Sequence, residues 1–431
     1  MRTVRLALLI VTVVLILPSA ALAAPGGSDD GARAVPGEIL VGFEPGSTAA
    51  DRERVAGKAR SERREQLTRG DERAERFSLR AGRRNSEAID AVAGDPAVAY
   101  AEPNWKLSTA ATSNDPYFTN GSLWGMAGGF GSQASTAWGA GHTGSPGVYV
   151  GVIDEGIQNT HPDLNDNVGN PNETVNGRDD DGNGYVDDRY GWDFAGNDSQ
   201  VYDGGSQGKL DDHGTHVSGT IGGEGGNAIG VAGVNWDVGL ISGKFLGRNG
   251  GTTANAVRAV DYFTGLKQRG VPIVATNNSW GGGGYSQALY DAIARARTAD
   301  ILFVAAAGNS GTNNDTTASY PSNYSLDNVI AVAAIDRNGV LASFSQYGKT
   351  TVDLGAPGVG VWSTTAFNTY SSYNGTSMAT PHVTGAAALY KSTRPAATAA
   401  QVKAAILSSA APTESLRDRT VTGGRLNVAG F

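Results

Sequence analysis

The chain of 431 residues contains no cysteine. Disulfides, thiolate-bound zinc, iron–sulfur clusters and cysteine nucleophiles are therefore excluded, and a large fold must rely on packing or on oxygen-ligated cations. Positive charge is also scarce: 34 Lys and Arg against 42 Asp and Glu give a net charge of −8, so no basic surface suggests nucleic acid as a partner. Hydrophobic residues make up 40% of the chain, which is typical of a globular protein rather than a disordered one.

Long apolar runs are equally scarce, and the one that stands out is Leu6 to Leu17. Arg2 and Arg5 precede it and the small residues of 21–23 follow, while a bilayer span needs about 20 apolar residues. This pattern predicts a signal peptide over 1–23 and a linker over 24–35; a buried core helix is the less favoured alternative. We therefore expect a secreted, extracellular protein without a membrane anchor.

Residues 36–106 carry 13 acidic and 13 basic residues, a much denser charge than the rest of the chain. Their patterns predict strands at 38–43, 75–79 and 97–102 and helices at 48–64 and 85–93. Such an order forms a small α+β sheet domain with two helices on one face. Its position after the signal favours a propeptide over the alternative, an independent binding domain.

From about Ser113 onward, nearly continuous apolar runs alternate with helical patterns. The runs are 148–153, 238–246, 271–275, 301–307 and 329–335, and the helices are 214–222, 253–269, 286–298, 377–391 and 399–409. Apolar runs of this kind are typical of buried parallel strands. The alternation predicts an α/β fold with a doubly wound, mainly parallel sheet over 107–431.

Three short stretches carry residues suited to nucleophilic catalysis. Asp154 directly follows the run 148–153, His213 lies in DHGTHVSGT where a turn leads into a helix, and Ser377 lies in NGTSMATPH at a tight turn opening a helix. Serine needs an adjacent base, and a histidine oriented by a carboxylate supplies one near neutral pH. The helix that opens at Ser377 also points free N–H groups at a developing oxyanion, and Asn309, after the strand 301–307, is a plausible second donor.

These stretches, in the order Asp, His, Ser, resemble the subtilisin-like serine proteases (subtilases), and thermitase-like members among them. The resemblance covers roughly 113–431 and implies that Ser377 is the nucleophile, His213 the general base, Asp154 its orienting group and Asn309 the oxyanion donor. Residues 36–106 resemble the family's inhibitory, chaperone propeptide. The implied protein is a self-processing zymogen whose new N-terminus falls between Lys106 and Asn114, acting on proteins and peptides and expected to be a monomer.

The resemblance also implies a substrate-binding set. Ser279, Trp280 and Gly281 resemble the segment that pairs with an extended substrate, and Ala306, Ala307 and Gly308 one wall of the specificity pocket. One residue departs from the family, which usually has Ser or Thr after its aspartate, whereas this chain has Glu155. If it faces inward it raises the pKa of His213; the interpretation favoured by sequence is that it points to solvent.

Two places suggest Ca²⁺. The loop 176–188 is rich in acidic residues and glycine, and Asp179, Asp181, Asn183 and Asp187 fall at positions 1, 3, 5 and 9 of an EF-hand-like loop, although position 12 is Tyr190 rather than Glu. The alternative is a solvated acidic loop. A second site, implied by resemblance to thermitase-like members, comprises Asp115, Asp163 and Asn227.

Two other functions remain as alternatives. One is a catalytically inactive secreted binding protein on the same fold. The other is an esterase or lipase, a class that usually places its serine in GxSxG, ahead of Asp and His. The order and motifs of this chain favour a serine endopeptidase.

Overall fold

The computed structural model describes residues 34–68, 73–105, 112–204 and 211–431. The predicted signal peptide, the linker up to residue 33 and positions 106–111 of the predicted processing segment lie outside the described residues. The chain forms two compact units, divided between Ser108 and Thr109.

The first unit is a four-stranded antiparallel sheet with two helices. Its elements are β1 (Ala34–Phe43), α1 (Ala49–Ala59), β2 (Ser61–Gln66), β3 (Arg73–Leu79), α2 (Asn85–Val92) and β4 (Val98–Trp105), and the sheet order is β2-β3-β1-β4. Apolar side chains of β1 and β3 pack against both helices around Ile39, Phe77 and Val55. The predicted α+β class is confirmed.

The helix predicted over 48–64 is confirmed up to Ala59 and is wrong over its last five residues. Thr48 and Asp51 form a capping box that starts α1, and the left-handed Arg60 (φ 57°) ends it. The next six residues form β2, which is exposed along most of its length and pairs with β3. Its Glu, Arg and Gln are good helix formers, so only the pairing with β3 makes this segment a strand.

The second unit is built on a nine-stranded sheet. Its strands are β5 (Gly144–Asp154), β6 (Gly191–Asp193), β7 (Asp237–Lys244), β8 (Ile273–Asn278), β9 (Leu302–Ala306), β10 (Val329–Ile335), β11 (Leu354–Pro357), β14 (Ala411–Pro412) and β15 (Gly424–Arg425). The order is β14-β15-β11-β10-β9-β8-β5-β7-β6, and every neighbouring pair is parallel except β14 and β15. A separate hairpin pairs β12 (Val361–Thr365) with β13 (Thr369–Tyr373).

Helices cover both faces of this sheet. They are α3 (Pro116–Thr119), α4 (Trp124–Ala127), α5 (Ala134–Gly139), α6 (Asp212–Gly222), α7 (Thr253–Gln268), α8 (Gln287–Thr298), α9 (Thr376–Thr393) and α10 (Ala399–Ser408), with a 3₁₀ turn at Glu414–Leu416. Successive residues of β5 point to opposite sides: Val152 packs in the core with α6 and α9, and Ile153 in the core with α7 and α8. The predicted doubly wound α/β fold is confirmed.

Candidate active site

Asp154 and His213 form the centre of the site. Asp154 is the last residue of β5 and fully buried, and His213 is the second residue of α6. The imidazole Nδ1 lies 2.8 Å from Asp154 Oδ1, and the His213 side chain is 28% exposed. Burial lowers the pKa of His213, but the charge of Asp154 and this hydrogen bond, together with the charge of Glu155, raise it more, so the net pKa lies above 6.5.

Glu155 faces the site, contrary to the interpretation favoured by sequence. Its Oε2 accepts a hydrogen bond of 3.2 Å from the backbone N–H of His213. Burial and the charge of Asp154 raise the pKa of Glu155. The departure from the family pattern therefore places a second carboxylate beside the histidine.

Ser377 lines the same cavity as His213. It is the second residue of α9, where backbone N–H groups lack intrahelical acceptors. Its Oγ donates to the carbonyl oxygen of Ser279 at 3.0 Å. His213, Asn309 and Ser377 together line a cavity of about 400 Å³ at the carboxyl ends of the strands. The structure thus brings the four predicted catalytic residues to one rim of the sheet.

The carboxamide of Asn309 has a fixed orientation. Its Oδ1 accepts hydrogen bonds from both the backbone N–H and the hydroxyl of Thr376, each 2.9 Å long. The Nδ2 group lies on the side of Gly375, 3.7 Å from the position that a Cβ on that glycine would take. Sequence reasoning assigned no role to Thr376, although it lies directly before Ser377.

A second cavity, of about 470 Å³, adjoins Ser377. Of the predicted substrate-binding residues, Trp280, Gly281, Ala306 and Gly308 line it. Gly308 has φ 115°, and a Cβ there would lie 1.8 Å from Gln346 Oε1, so glycine is required. Gln346 also lines the cavity and was missed by sequence, because it lies outside the motifs that carry the resemblance.

Two residues of the predicted substrate-binding set do not line this cavity. Ala307 is fully buried in a small core with Ala331 and Val352, and its carbonyl accepts from Asn314 Nδ2 at 3.0 Å. Ala307 directly follows β9 and packs into this core, whereas Ala306 and Gly308 on either side of it line the cavity. Ser279 is 3% exposed and contacts Ser377 itself, through two hydrogen bonds.

The acidic loop brings together a set different from the predicted one. Glu173, Asp181 and Asp188 place one carboxylate oxygen each within 4.8 Å of the others. Asp179 instead accepts from the backbone N–H groups of residues 183 and 184, Asp187 from those of 176 and 177, and Asn183 donates to Asp188. Of the four predicted ligands, only Asp181 belongs to the cluster.

Buried oxygens in this cluster lack partners. Glu173 is 2% exposed and Asp188 is fully buried, yet Glu173 Oε1 and Asp188 Oδ1 accept no hydrogen bond from the described residues. Burial raises the pKa of both groups, and their carboxylate neighbours raise it further. Converging oxygens of this kind fit a hard cation such as Ca²⁺. Glu173 precedes the loop and Asp188 ends it, so the EF-hand register could not find them.

Asp115, Asp163 and Asn227 do lie together. Asn227 Nδ2 donates to Asp163 at 2.9 Å, and Asp115 accepts from the backbone of residues 226 and 228. Both carboxylates are fully buried, and burial together with the charge of Asp115 raises the pKa of Asp163 to about 7 despite two hydrogen bonds that lower it. Neither carboxylate forms an ion pair with a Lys or Arg of the described chain.

Comparison with known proteins agrees with this geometry. Residues 145–430 match the subtilase family, and residues 23–104 match the fervidolysin N-terminal prodomain. The chain therefore belongs to the subtilase family, as its motifs predict. It is a subtilisin-like serine protease with an N-terminal prodomain.

Individual relatives support the same classification. A thermophilic serine proteinase of Bacillus sp. (strain AK1) is 37% identical over 310 residues, which is 72% of this chain and 67% of the relative. An alkaline protease of Alkalihalobacillus alcalophilus is 38% identical over 317 residues, 74% of this chain and 70% of the relative. A solved protease structure from Pseudoalteromonas arctica PAMC 21717 has a TM-score of 0.60 at 30% identity, covering 74% of this chain and 98% of that one.

Proposed function

We propose that the protein is a serine endopeptidase that works through Asp154, His213 and Ser377 and an acyl-enzyme intermediate. The observation that carries the proposal is the 2.8 Å hydrogen bond between Asp154 and a histidine that shares one cavity with Ser377 and Asn309. This arrangement provides a nucleophile, a base and oxyanion donors at one place.

The reaction begins when the Ser377 hydroxyl turns from the Ser279 carbonyl to His213 Nε2. His213 takes the proton as Oγ attacks the peptide carbonyl, and Asp154 stabilises the imidazolium. The oxyanion accepts hydrogen bonds from Asn309 Nδ2 and from the backbone N–H of Ser377. His213 then protonates the leaving amine, and water, deprotonated by His213, hydrolyses the acyl-enzyme.

The zymogen organisation is the second part of the proposal. The prodomain match over 23–104 directly precedes the protease domain, which supports a propeptide that inhibits the enzyme intramolecularly and is removed by self-cleavage between residues 106 and 114. The boundaries 1–23, 24–35, 36–106 and 107–431 describe signal, linker, propeptide and catalytic domain. Within the described ranges, no helix is long and apolar enough to cross a membrane. We propose a secreted monomer acting on proteins and peptides.

The test compares the full-length chain with its Ser377→Ala variant. We expect the parent to be trimmed to an N-terminus within 106–114, and the variant to retain its prodomain and to hydrolyse no peptide. Ser408→Ala, which removes an exposed hydroxyl on α10, serves as the matched control and should be processed normally. Self-trimming of purified Ser377→Ala would contradict the proposal, and a parent chain that binds peptides without cleaving them would favour the inactive binding protein.

Calcium is the proposed cofactor. Glu173, Asp181 and Asp188 would hold one ion, with the unpartnered buried oxygens of Glu173 and Asp188 among the ligands. Asp115, Asp163 and Asn227 would hold a second. The ions would neutralise buried carboxylates and so tie loops to the sheet. Isothermal titration with Ca²⁺ after chelation should detect binding; absence of heat and of any thermal shift would exclude it.

A further inference from the structure

The first turn of α6 lacks the cap that its sequence would normally supply. Asp211 is the N-cap residue, in a left-handed conformation (φ 75°), and its side chain makes no capping hydrogen bond. Its carboxylate instead accepts from Lys244 Nζ and from the backbone N–H of Asp203. Lys244 is 1% exposed and also pairs with Asp203 at 2.7 Å. The Asp211 carboxylate therefore belongs to an ion-pair cluster around Lys244 and does not cap the helix.

Glu155 supplies the missing acceptor from another element. It follows β5, and its Oε2 accepts the backbone N–H of His213 at 3.2 Å. The preceding residue, Asp154, binds the imidazole Nδ1 of the same histidine at 2.8 Å. The backbone N–H of Glu155 in turn donates to Asp154 Oδ1 at 2.7 Å. Two consecutive carboxylates thus hold one histidine, one by its side chain and one by its main chain.

We propose that Glu155 is a positioning residue for His213, which caps the first turn of α6 and places a second negative charge beside the imidazole. The inference rests on the proposed role of His213 as general base. Its geometric part depends on the carboxylate as a hydrogen-bond acceptor, and its electrostatic part on the carboxylate's charge. These two parts can be separated by substitution.

Other charged and titratable groups surround the same helix turn. Asp211 is the N-cap residue of α6, and Asp212 and His216 lie within that helix. The others are Asp154 on β5, Lys244 on β7, Tyr373 on β13 and His382 on α9. Lys244 is neutralised by Asp211 and Asp203, and burial lowers the pKa of His216 to about 3 and of His382 to about 4, so both imidazoles are neutral near pH 7. Asp154 and Glu155 are the carboxylates whose charges raise the pKa of His213.

The experiment titrates His213 directly, without using activity. Imidazole NMR signals are followed against pH in full-length Ser377→Ala and in the same protein carrying Glu155→Gln. The chain has five histidines, and a His213→Gln variant assigns the signal by its loss. We expect the His213 titration to move to lower pH in the Glu155→Gln protein, because the amide keeps an acceptor but removes the charge. An unchanged or raised midpoint would overturn the electrostatic part.

The control and the complementary variant separate charge from geometry. Asp291→Asn, on the exposed side of α8, removes the same charge far from the histidine's contacts and should leave the titration unchanged. In otherwise native enzyme, Glu155→Asp keeps the negative charge, but its side chain is one methylene shorter and moves the acceptor oxygen away from the His213 backbone N–H. We expect it to lower kcat at the high-pH plateau by up to about 10²-fold, the cost of displacing a catalytic group by 1 Å, with little change in KM. An unchanged plateau would overturn the positioning part.

Failure of this inference is distinguishable from failure of the proposed function. If Ser377→Ala still hydrolyses peptides, the proposed function fails, while the titration of His213 continues to report the effect of Glu155. If Ser377→Ala is inactive and the midpoint of the His213 titration is the same with and without Glu155→Gln, only the inference fails.

Discussion

Ser279 and Ser377 exchange two hydrogen bonds. Ser279 Oγ donates to the Ser377 carbonyl at 2.8 Å, and Ser377 Oγ donates to the Ser279 carbonyl at 3.0 Å. The first bond has a clear cause: the carbonyl of Ser377 would normally accept from the residue four positions later, which is Pro381 and has no N–H. Ser279 therefore satisfies an acceptor that the helix leaves open, the carbonyl of the proposed nucleophile.

Replacing Ser279 by alanine should lower both stability and activity. The Ser377 carbonyl would become a partly buried acceptor without this donor, at a cost of about 1 kcal/mol in the free energy of unfolding. The start of α9 would be less firmly held, so kcat should fall more than KM rises. Thermal unfolding and steady-state kinetics check this, with Ser408→Ala expected to stay within about 0.5 kcal/mol of the parent. Unchanged stability and kcat in Ser279→Ala would contradict the role assigned to this bond.

Replacing Asn309 by leucine should lower kcat by about 10²–10³ with little change in KM. The size is that known for removing the corresponding donor in subtilisin itself, not one calculated for this chain. The loss arises because the Nδ2 donor acts on charge that develops in the transition state. Steady-state kinetics on a peptide substrate measure it. A loss confined to KM would mean that Asn309 serves substrate binding only.

The pH dependence of kcat/KM should have an acid limb with its midpoint above pH 6.5. His213 must be neutral to accept a proton. Because its pKa is raised, the imidazole stays protonated up to a higher pH than a free histidine, and activity is lost below that raised pKa. For stability the sign is opposite: the protonated His213–Asp154 pair stabilises the fold fully below the unfolded pKa, and this contribution is lost as pH rises through the folded pKa. A limb centred well below 6.5 would contradict the prediction.

Chelation should lower the thermal midpoint, and substitutions in the acidic loop should show which carboxylates bind the ion. At a Ca²⁺ concentration of about 100 times Kd, binding contributes about 2.7 kcal/mol. Asp188→Asn should therefore reduce the Ca²⁺-dependent thermal shift more than Asp179→Asn, because Asp188 has a buried oxygen without a partner and Asp179 does not belong to the cluster. The reverse ranking would restore the EF-hand-like assignment.

Much of the fold was predictable because its signals are local. The buried parallel strands are continuous in Val, Ile and Ala, and β10 spans 329–335, the predicted boundaries. Asp154, His213, Asn309 and Ser377 were predicted as site residues because each follows or opens a predicted strand or helix and because the motifs around them resemble those of the subtilases. What brings them to one rim is the shared direction of parallel strands.

The errors share a different cause. β2 becomes a strand only through its pairing with β3, and Glu155 turns inward only because the first turn of α6 leaves an N–H unsatisfied. Glu173 lies before the loop, and Asp188 lies at a position to which the EF-hand template assigns no ligand. In each case the deciding partner lies elsewhere in the chain, and short-range patterns contain no information about it.

The helix that carries Ser377, α9, packs against β5, β8, β9, β10 and β11. Asp154 and His213 lie much earlier in the sequence, at the end of β5 and the start of α6. The three proposed catalytic residues can therefore come together only once α9 has packed against the strands that precede it in the chain. We therefore expect a chain truncated before α9 to hydrolyse no peptide.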